Sequence, residues 1–309
     1  MVNYYKTVDG RINEIDTPEN GCWINMIDPT KEELEYISSN FQVEQDFIVA
    51  ALDDEETSRI ELEENQTLMV IDIPIADKEN DNMIYYTLPL GFIITENHIV
   101  TVCLKENTII KEFSADLIKN VHTNLKTRFV LQVFYKVAAR FLQYLKQINK
   151  MSGVIESRLH VSMKNKELIQ LLDLEKSLVY FSTSLKSNQV TMKKVTRGNF
   201  LRLYEEDKDL LEDVLIEIDQ AIEMCNIYSS ILSGTMDAFA SIISNNLNIV
   251  MKRLSSITIV MAVPTIVASI YGMNIQNGIP LDHFWWFPVI LSAVAVVLVS
   301  FVLKKKDMF

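Results

Sequence analysis

The sequence has little cysteine and none of the short motifs that mark common enzyme classes. Its three cysteines, Cys22, Cys103 and Cys225, lie far apart and fit neither a disulfide framework nor a thiolate zinc site, so we interpret them as small hydrophobic residues. There is no phosphate-binding loop, no helix motif that pairs histidines with a carboxylate, and no nucleophile motif. An enzymatic function therefore has little support.

The N-terminus lacks the apolar stretch of a signal peptide, because residues 1–6 read Met-Val-Asn-Tyr-Tyr-Lys. We therefore expect about 250 residues to stay in the cytoplasm. The formal net charge is −12 although the C-terminal end is basic, so this soluble part is strongly acidic. Strong acidity argues against nucleic acid as a partner and suits a protein that handles cations, although ordinary solvated acidity accounts for most individual carboxylates.

Two segments near the C-terminus have no charge at all. Residues 254–271 form an uncharged run of 18 residues and residues 284–303 one of 20. At 1.5 Å per residue the first covers roughly 27 Å of helix, enough to cross the hydrocarbon part of a bilayer. The alternative is a pair of buried core helices. We predict two transmembrane helices in residues 254–303, with an outer loop over 272–283.

The distribution of basic residues predicts the orientation of these helices. Lys252 and Arg253 precede the pair, Lys304–Lys306 follow it, and the loop between contains no Lys or Arg. Trp285 and Trp286 begin the second span, where aromatic rings prefer the membrane interface. By the positive-inside rule both termini, including the basic tail 304–309, are cytoplasmic in a cell (inner or plasma) membrane.

The soluble part changes character along the chain. The pattern of residues 1–125 predicts an α/β domain, in which one helix begins after the segment Asp28-Pro29-Thr30. Residues 126–253 predict a hairpin of long helices and a stalk, because apolar residues recur there at three- and four-residue steps. The last helix, if unbroken from 201 to 271, would be roughly 107 Å long, and so we expect packing partners for it. The predicted strands cover 23–26, 68–73, 88–95 and 99–104.

The first span carries small and polar residues on one side. From Asn248 they follow at alternating steps of three and four, and the same spacing leads back to Asp237. Small residues also mediate close helix packing in membranes, and Ser256 lies off the pattern. We interpret this stripe as the lining of a pore. Its members are Asp237, Asn248, Met251, Ser255, Thr258, Ala262, Thr265 and Ser269.

Two spans per chain cannot enclose a pore, so a conduit requires a symmetric ring of identical subunits with the first span innermost. At the outer mouth each subunit would offer the Gly272 carbonyl and the Asn274 side chain. Neutral oxygen dipoles can support the hydration shell of a divalent cation without holding it too tightly.

The segment Tyr271-Gly272-Met273-Asn274, at the end of the first of two C-terminal spans, resembles the signature of the CorA-type divalent-cation transporters. The resemblance extends to the lysine-rich end, the long stalk helix and the acidic α/β domain. It implies a funnel-shaped homopentameric channel that transports Mg²⁺, with Co²⁺ or Ni²⁺ also carried. It further implies that Gly272, Met273 and Asn274 capture the ion.

The same resemblance implies a gate and a sensor. Met251 and Leu254 would form a hydrophobic gate, with Asn248 as a polar ring beneath it. Asp213 would belong to a regulatory Mg²⁺ site between subunits, and Asp53 or Asp54 is our prediction for its partner. The alternative is that Asp213 is a solvated carboxylate on a helix surface.

Three functions remain open on sequence alone. The first is a Mg²⁺ channel that closes when cytoplasmic Mg²⁺ occupies carboxylates between subunits. The second is a zinc transporter with the same signature, which the lack of a soft-ligand cluster along the path disfavours. The third is a non-conducting membrane-anchored scaffold, which would have no use for a polar stripe.

Overall fold

A computed structural model describes residues 1–63, 65–79, 82–161, 165–198, 200–273, 286–306 and 308. The chain divides into two compact units, which we call unit 1 (Met1–Gly234) and unit 2 (Thr235–Phe309). Unit 1 combines a β-sheet with helices, and unit 2 is helical in its described part.

Unit 1 is built on a seven-stranded sheet with the order β2-β1-β3-β7-β6-β5-β4, counted over the described residues. Strands β3 and β7 are parallel, with Ile24 opposite Val100, and the other neighbours are antiparallel. The strands are β1 (Val2–Val8), β2 (Arg11–Ile15), β3 (Trp23–Ile27), β4 (Arg59–Glu63), β5 (Gln66–Glu79), β6 (Asn82–Ile94) and β7 (Ile99–Cys103).

The four strands predicted from sequence are confirmed, each inside or within one residue of an observed strand. The helix predicted after Pro29 is also confirmed as α1 (Lys31–Phe41). It begins with a capping box in which the Thr30 side chain accepts from the Glu33 N–H and the Glu33 side chain accepts from the Thr30 N–H. Strands β1, β2 and β4 were not predicted.

Helices cover both faces of the sheet. On one face, α1 and α2 (Gln45–Ala50) contribute to a core with Ile24, Val70 and Val100. On the other face, the ring of Trp23 lies 5.0 Å from that of Phe129 in α4 (Lys126–Val161). Because both faces are covered, the central strand β7 is buried along its whole length.

The long helices of unit 1 pack against this sheet. Helices α4 and α5 (Asn165–Arg197) meet at Phe141 and Phe181, whose ring centroids are 5.0 Å apart. Asn188 of α5 donates to the Asp72 backbone carbonyl at 2.8 Å and accepts from the Asp72 N–H at 2.9 Å. This pair of bonds fixes α5 on the middle of β5. The short helix α3 (Thr108–Ser114) packs on α4.

Helix α6 (Glu205–Tyr271) begins in unit 1 and ends in unit 2. It starts four residues later than the sequence pattern suggested, because the buried Asp207 carboxylate accepts from the Tyr204 N–H at 3.2 Å and so closes the first turn. The single long helix is otherwise confirmed. In unit 2 it is followed by α7 (Phe287–Lys305).

Candidate ion pathway

The predicted stripe on α6 is exposed in a single chain. Asp237, Asn248, Met251, Ser255, Thr258, Ala262, Thr265 and Ser269 are all exposed. At about 100° per residue, the members from Asn248 to Ser269 fall within roughly a third of the helix circumference. They therefore share one face of α6, and no part of the described chain covers that face.

The opposite face of α6 is the one directed at α7. Its half-buried residues include Val260, Val263, Pro264 and Val267. It lies about half a turn away from the stripe. The residues at its two ends make the contacts to α7 and its tail: the Tyr271 ring lies 6.1 Å from Phe287, and the Ser256 hydroxyl bonds to Met308.

The two threonine hydroxyls of the stripe donate their protons to the backbone of α6. Thr258 Oγ1 donates to the Leu254 carbonyl at 2.9 Å, and Thr265 Oγ1 donates to the Met261 carbonyl at 3.3 Å. A hydroxyl has one proton and two acceptor lone pairs, so donation to the helix leaves the lone pairs directed outward. The stripe is therefore suited to accept hydrogen bonds from water around a cation.

The C-terminal end of α6 is followed by Gly272. Its N–H donates to the Ala268 carbonyl at 2.9 Å, and a Cβ added at Gly272 would lie 3.1 Å from that same oxygen. A larger residue would thus crowd the last turn of the helix. Met273 follows and is exposed. Asn274 and the rest of the predicted outer loop lie outside the described residues.

Two apolar residues interrupt the polar stripe near its N-terminal end. Met251 is 52% exposed and Leu254 is 57% exposed. No other element of the described chain covers either side chain. The constriction predicted at these residues stays a prediction.

The predicted sensor carboxylates lie in unit 1. Asp213 is exposed on α6, and Asp53 and Asp54 are exposed in the turn after α2. The Asp53 carboxylate accepts from the Glu55 N–H at 3.1 Å. Within the described part of one chain, no group of three or more His, Cys, Asp or Glu side chains is arranged to hold a metal ion. A divalent site at these carboxylates would therefore need ligands from a second subunit or water.

Both helices of unit 2 have the length and composition of membrane spans. The most apolar window of α6 has a mean hydropathy of 1.8 and that of α7 2.4, and only 6% of each window is buried. A core helix of a soluble protein would be mostly covered by the protein itself. Low burial therefore removes the support for the alternative of two buried core helices.

Sequence reasoning missed the role of Ser256. It counted this residue as an exception to the stripe, whereas the structure places it on the opposite face with its side chain buried. The angular position of Ser256 around the axis of α6 was the signal that could have revealed this placement, since it falls among the residues that face α7.

Comparison with known sequences identifies the family. Residues 18–305 match the profile of the family described as CorA-like Mg²⁺ transporter protein. The chain belongs to this CorA-like family. A cobalt/magnesium transport protein CorA from Methanocaldococcus jannaschii is 26% identical over 293 residues, which cover 91% of this chain and 88% of the relative.

Solved structures support the fold. The complete CorA magnesium transporter from Methanocaldococcus jannaschii aligns with a TM-score of 0.82 and 23% identity, over 99% of this chain and 96% of that one. The cytoplasmic domain of ZntB from Vibrio parahaemolyticus aligns with a TM-score of 0.59 and 10% identity, over 80% of this chain and 97% of that one. The predicted architecture, an α/β domain with a long helix and two C-terminal apolar helices, is confirmed.

Proposed function

We propose that identical copies of this chain form a ring, five by family resemblance, that conducts Mg²⁺ across the cell membrane through a pore lined by α6. The observation that carries the proposal is the exposed polar stripe on the face of α6 opposite α7. Packing between the two spans of one chain does not use this face. In a water-filled conduit shared by several copies of the chain, the exposed polar groups of this face would contact water and ions.

Ion capture takes place at the outer mouth in this proposal. Gly272, Met273 and Asn274 of each subunit surround the axis and present oxygen dipoles to a hydrated cation. Mg²⁺ gives up its water reluctantly, so neutral oxygens that contact its hydration shell can select it without trapping it. Below the mouth, the outward lone pairs of Thr265 and Thr258 continue the path.

The cytoplasmic end of the stripe forms the gate. A ring of Met251 and Leu254 side chains excludes water when narrow, and an ion cannot cross a dry apolar segment. Asn248 and Asp237 continue the polar path on its cytoplasmic side. Both termini lie in the cytoplasm in this proposal, which the basic groups that flank the spans support.

Cytoplasmic Mg²⁺ regulates the ring in this proposal. Exposed carboxylates gathered between subunits repel one another, and a divalent ion that bridges Asp213 to Asp53 or Asp54 of a neighbour replaces repulsion with cross-linking. The ion then favours the closed ring because it binds that state more tightly. Since α6 carries both Asp213 and the gate residues, loss of the ion can be transmitted along one helix.

Ion uptake into liposomes tests the function most simply. Purified protein should take up Mg²⁺, with Co²⁺ and Ni²⁺ tested separately, and native mass spectrometry should show one closed oligomer of five subunits. Uptake of Zn²⁺ without Mg²⁺ would favour the zinc transporter. A stable monomer or dimer without uptake of any divalent ion would favour the scaffold.

A further inference from the structure

Met308, which follows α7, contacts α6. The Ser256 hydroxyl oxygen lies 2.7 Å from the Met308 carbonyl oxygen and 2.9 Å from the Lys252 carbonyl oxygen of its own helix. The Met308 N–H in turn donates to the Leu303 carbonyl at 3.2 Å. One tail residue thus bonds to both helices of unit 2, at its N–H to α7 and at its C=O to α6.

This contact is the best-sealed part of the helix pair. Among the described residues from 240 to 306, only Ser256 and Leu303 are buried, at 0% and 7% exposure. A buried hydroxyl is stable only when its hydrogen bond replaces those it made with water. The single proton of this hydroxyl has two acceptors within reach, and the Met308 carbonyl oxygen is the nearer, so donation to Met308 ties this tail residue to α6. We call the Ser256–Met308–Leu303 contact the tail latch.

The tail latch lies directly behind the gate. Ser256 follows Met251 by five residues, a rise of about 7.5 Å along α6, and points to the opposite side of the helix. The gate side chains are exposed, so nothing in the described chain supports them from the front. Within the described chain, the Ser256 contact lies on the other side of α6, two residues after Leu254.

We propose that Ser256 is a positioning residue for the gate, which holds the turns of α6 that carry Met251 and Leu254 by anchoring the tail of α7. The inference rests on the proposed function. An apolar ring stays dry only while it is narrow, and conduction rises steeply as it widens. Without the tail latch, these turns of α6 sample a wider range of positions. The positions in which the apolar ring is widest then carry most of the Mg²⁺ flux through the resting channel.

The first measurement detects the tail latch without reference to transport. In the full-length protein in lipid nanodiscs, hydrogen exchange of the amides of residues 303–306 and 308 should be slow, and S256A should speed it by about fivefold, the factor expected for loss of one hydrogen bond. S256T keeps a hydroxyl and should restore slow exchange. S292A is the matched control, because Ser292 donates only to Pro288 of its own helix, at 2.8 Å.

The second measurement connects the tail latch to the gate. S256A should raise Mg²⁺ uptake into liposomes several-fold at internal Mg²⁺ that closes wild type, and S292A should not. Removal of residues 307–309 should raise uptake by the same factor, and the combination with S256A should add nothing further, because both changes break one contact. The truncation also keeps the test valid if S256A assembles poorly.

The outcomes separate the two proposals. Unchanged amide exchange in S256A would show that the tail latch does not exist in the membrane. Faster exchange with unchanged resting uptake would show that it exists but does not position the gate, and the proposed channel would stand. Absence of ion uptake by wild type would refute the channel and the gating role together, while the exchange result would still report on the contact.

Discussion

The two units of this chain differ in how far their apolar side chains are buried. Unit 1 buries large side chains such as Trp23, Phe92 and Phe134 completely between its sheet and helices. Unit 2 leaves most of its apolar side chains exposed, including Ile266 of α6 and Val297 of α7. Unit 1 therefore has a core of its own, whereas the described part of unit 2 buries only Phe239 and Leu303 among its apolar side chains.

This difference separates two kinds of sensitivity to mutation. Substitutions in unit 1 should act on stability or on regulation, because its side chains have partners within the chain. Substitutions on the stripe of unit 2 should act on transport with little effect on folding, because no other element in the described part of the chain covers the stripe.

The largest effect is expected at the outer mouth. Asn274→Ala removes one side-chain carbonyl per subunit from the capture ring, and Mg²⁺ uptake should fall to background while the oligomer remains assembled. Uptake into liposomes and native mass spectrometry measure the two properties. Asn245→Ala is the control, since Asn245 is exposed on α6 but lies off the stripe. Normal uptake by Asn274→Ala would remove the capture ring from the account.

A smaller and selective effect is expected at Asp213. Millimolar Mg²⁺ should protect unit 1 of wild type against proteases, and Asp213→Ala should lose much of this protection because the bridging carboxylate is gone. The same variant should conduct at Mg²⁺ concentrations that close wild type. Glu212→Ala, exposed in the same turn but directed about 100° away, is the control. Equal protection and closure in wild type and Asp213→Ala would place the sensor elsewhere.

The third prediction concerns a buried carboxylate inside unit 1. Burial raises the pKa of Asp72 from 3.8 to about 6, although a hydrogen bond with Ser184 opposes the shift. A raised pKa in the folded state means that the fold favours the protonated acid, so ionisation above about pH 6 costs stability. Asp72→Asn should therefore raise the free energy of unfolding at pH 8 by on the order of 2 to 3 kcal/mol.

This gain should depend on pH in a defined direction. As the pH falls from 6 towards 4, wild-type Asp72 takes up its proton and the advantage of Asp72→Asn should shrink. Thermal unfolding of both proteins at pH 8 and at pH 5 measures the difference. Asp77→Asn is the control, because a hydrogen bond from Lys105 lowers the pKa of that carboxylate and its removal should bring no gain at pH 8. A gain for Asp72→Asn that grows as the pH falls would contradict the assignment.

The spacing of apolar residues predicted the elements in which this spacing is regular or continuous. These elements are strands β3 and β7, the long helices and the two spans. Strands β1 and β2 were missed because they lie at one edge of the sheet and carry polar residues such as Lys6 and Glu14. The parallel pairing of β3 with β7 joins segments about 75 residues apart, and no local pattern reports such a contact.

The part of the candidate site that lies on one face of α6 could be proposed from the sequence. The three-and-four spacing from Asn248 to Ser269 is a local property, and the exposure of that face agrees with it. The contact of Ser256 with Met308 was not predictable, because it joins two segments 52 positions apart through a backbone carbonyl. The carboxylates Asp213, Asp53 and Asp54 remain a prediction, since a site between subunits needs a second chain.

The central claim, that the stripe of α6 faces a water-filled pore, is tested most directly by cysteine accessibility along this helix. Single cysteines at Thr258, Ala262 and Thr265 should react with a charged thiol reagent in liposomes and lose Mg²⁺ uptake, whereas cysteines at Val263 and Val267 should stay protected. The native thiols should not interfere, because burial raises the pKa of Cys103 to about 12 and that of Cys225 to about 11 and also raises that of Cys22. Cysteine reactivity that repeats with the period of a helix along α6 would support the account. Equal reactivity of both faces, or protection of the stripe, would contradict it.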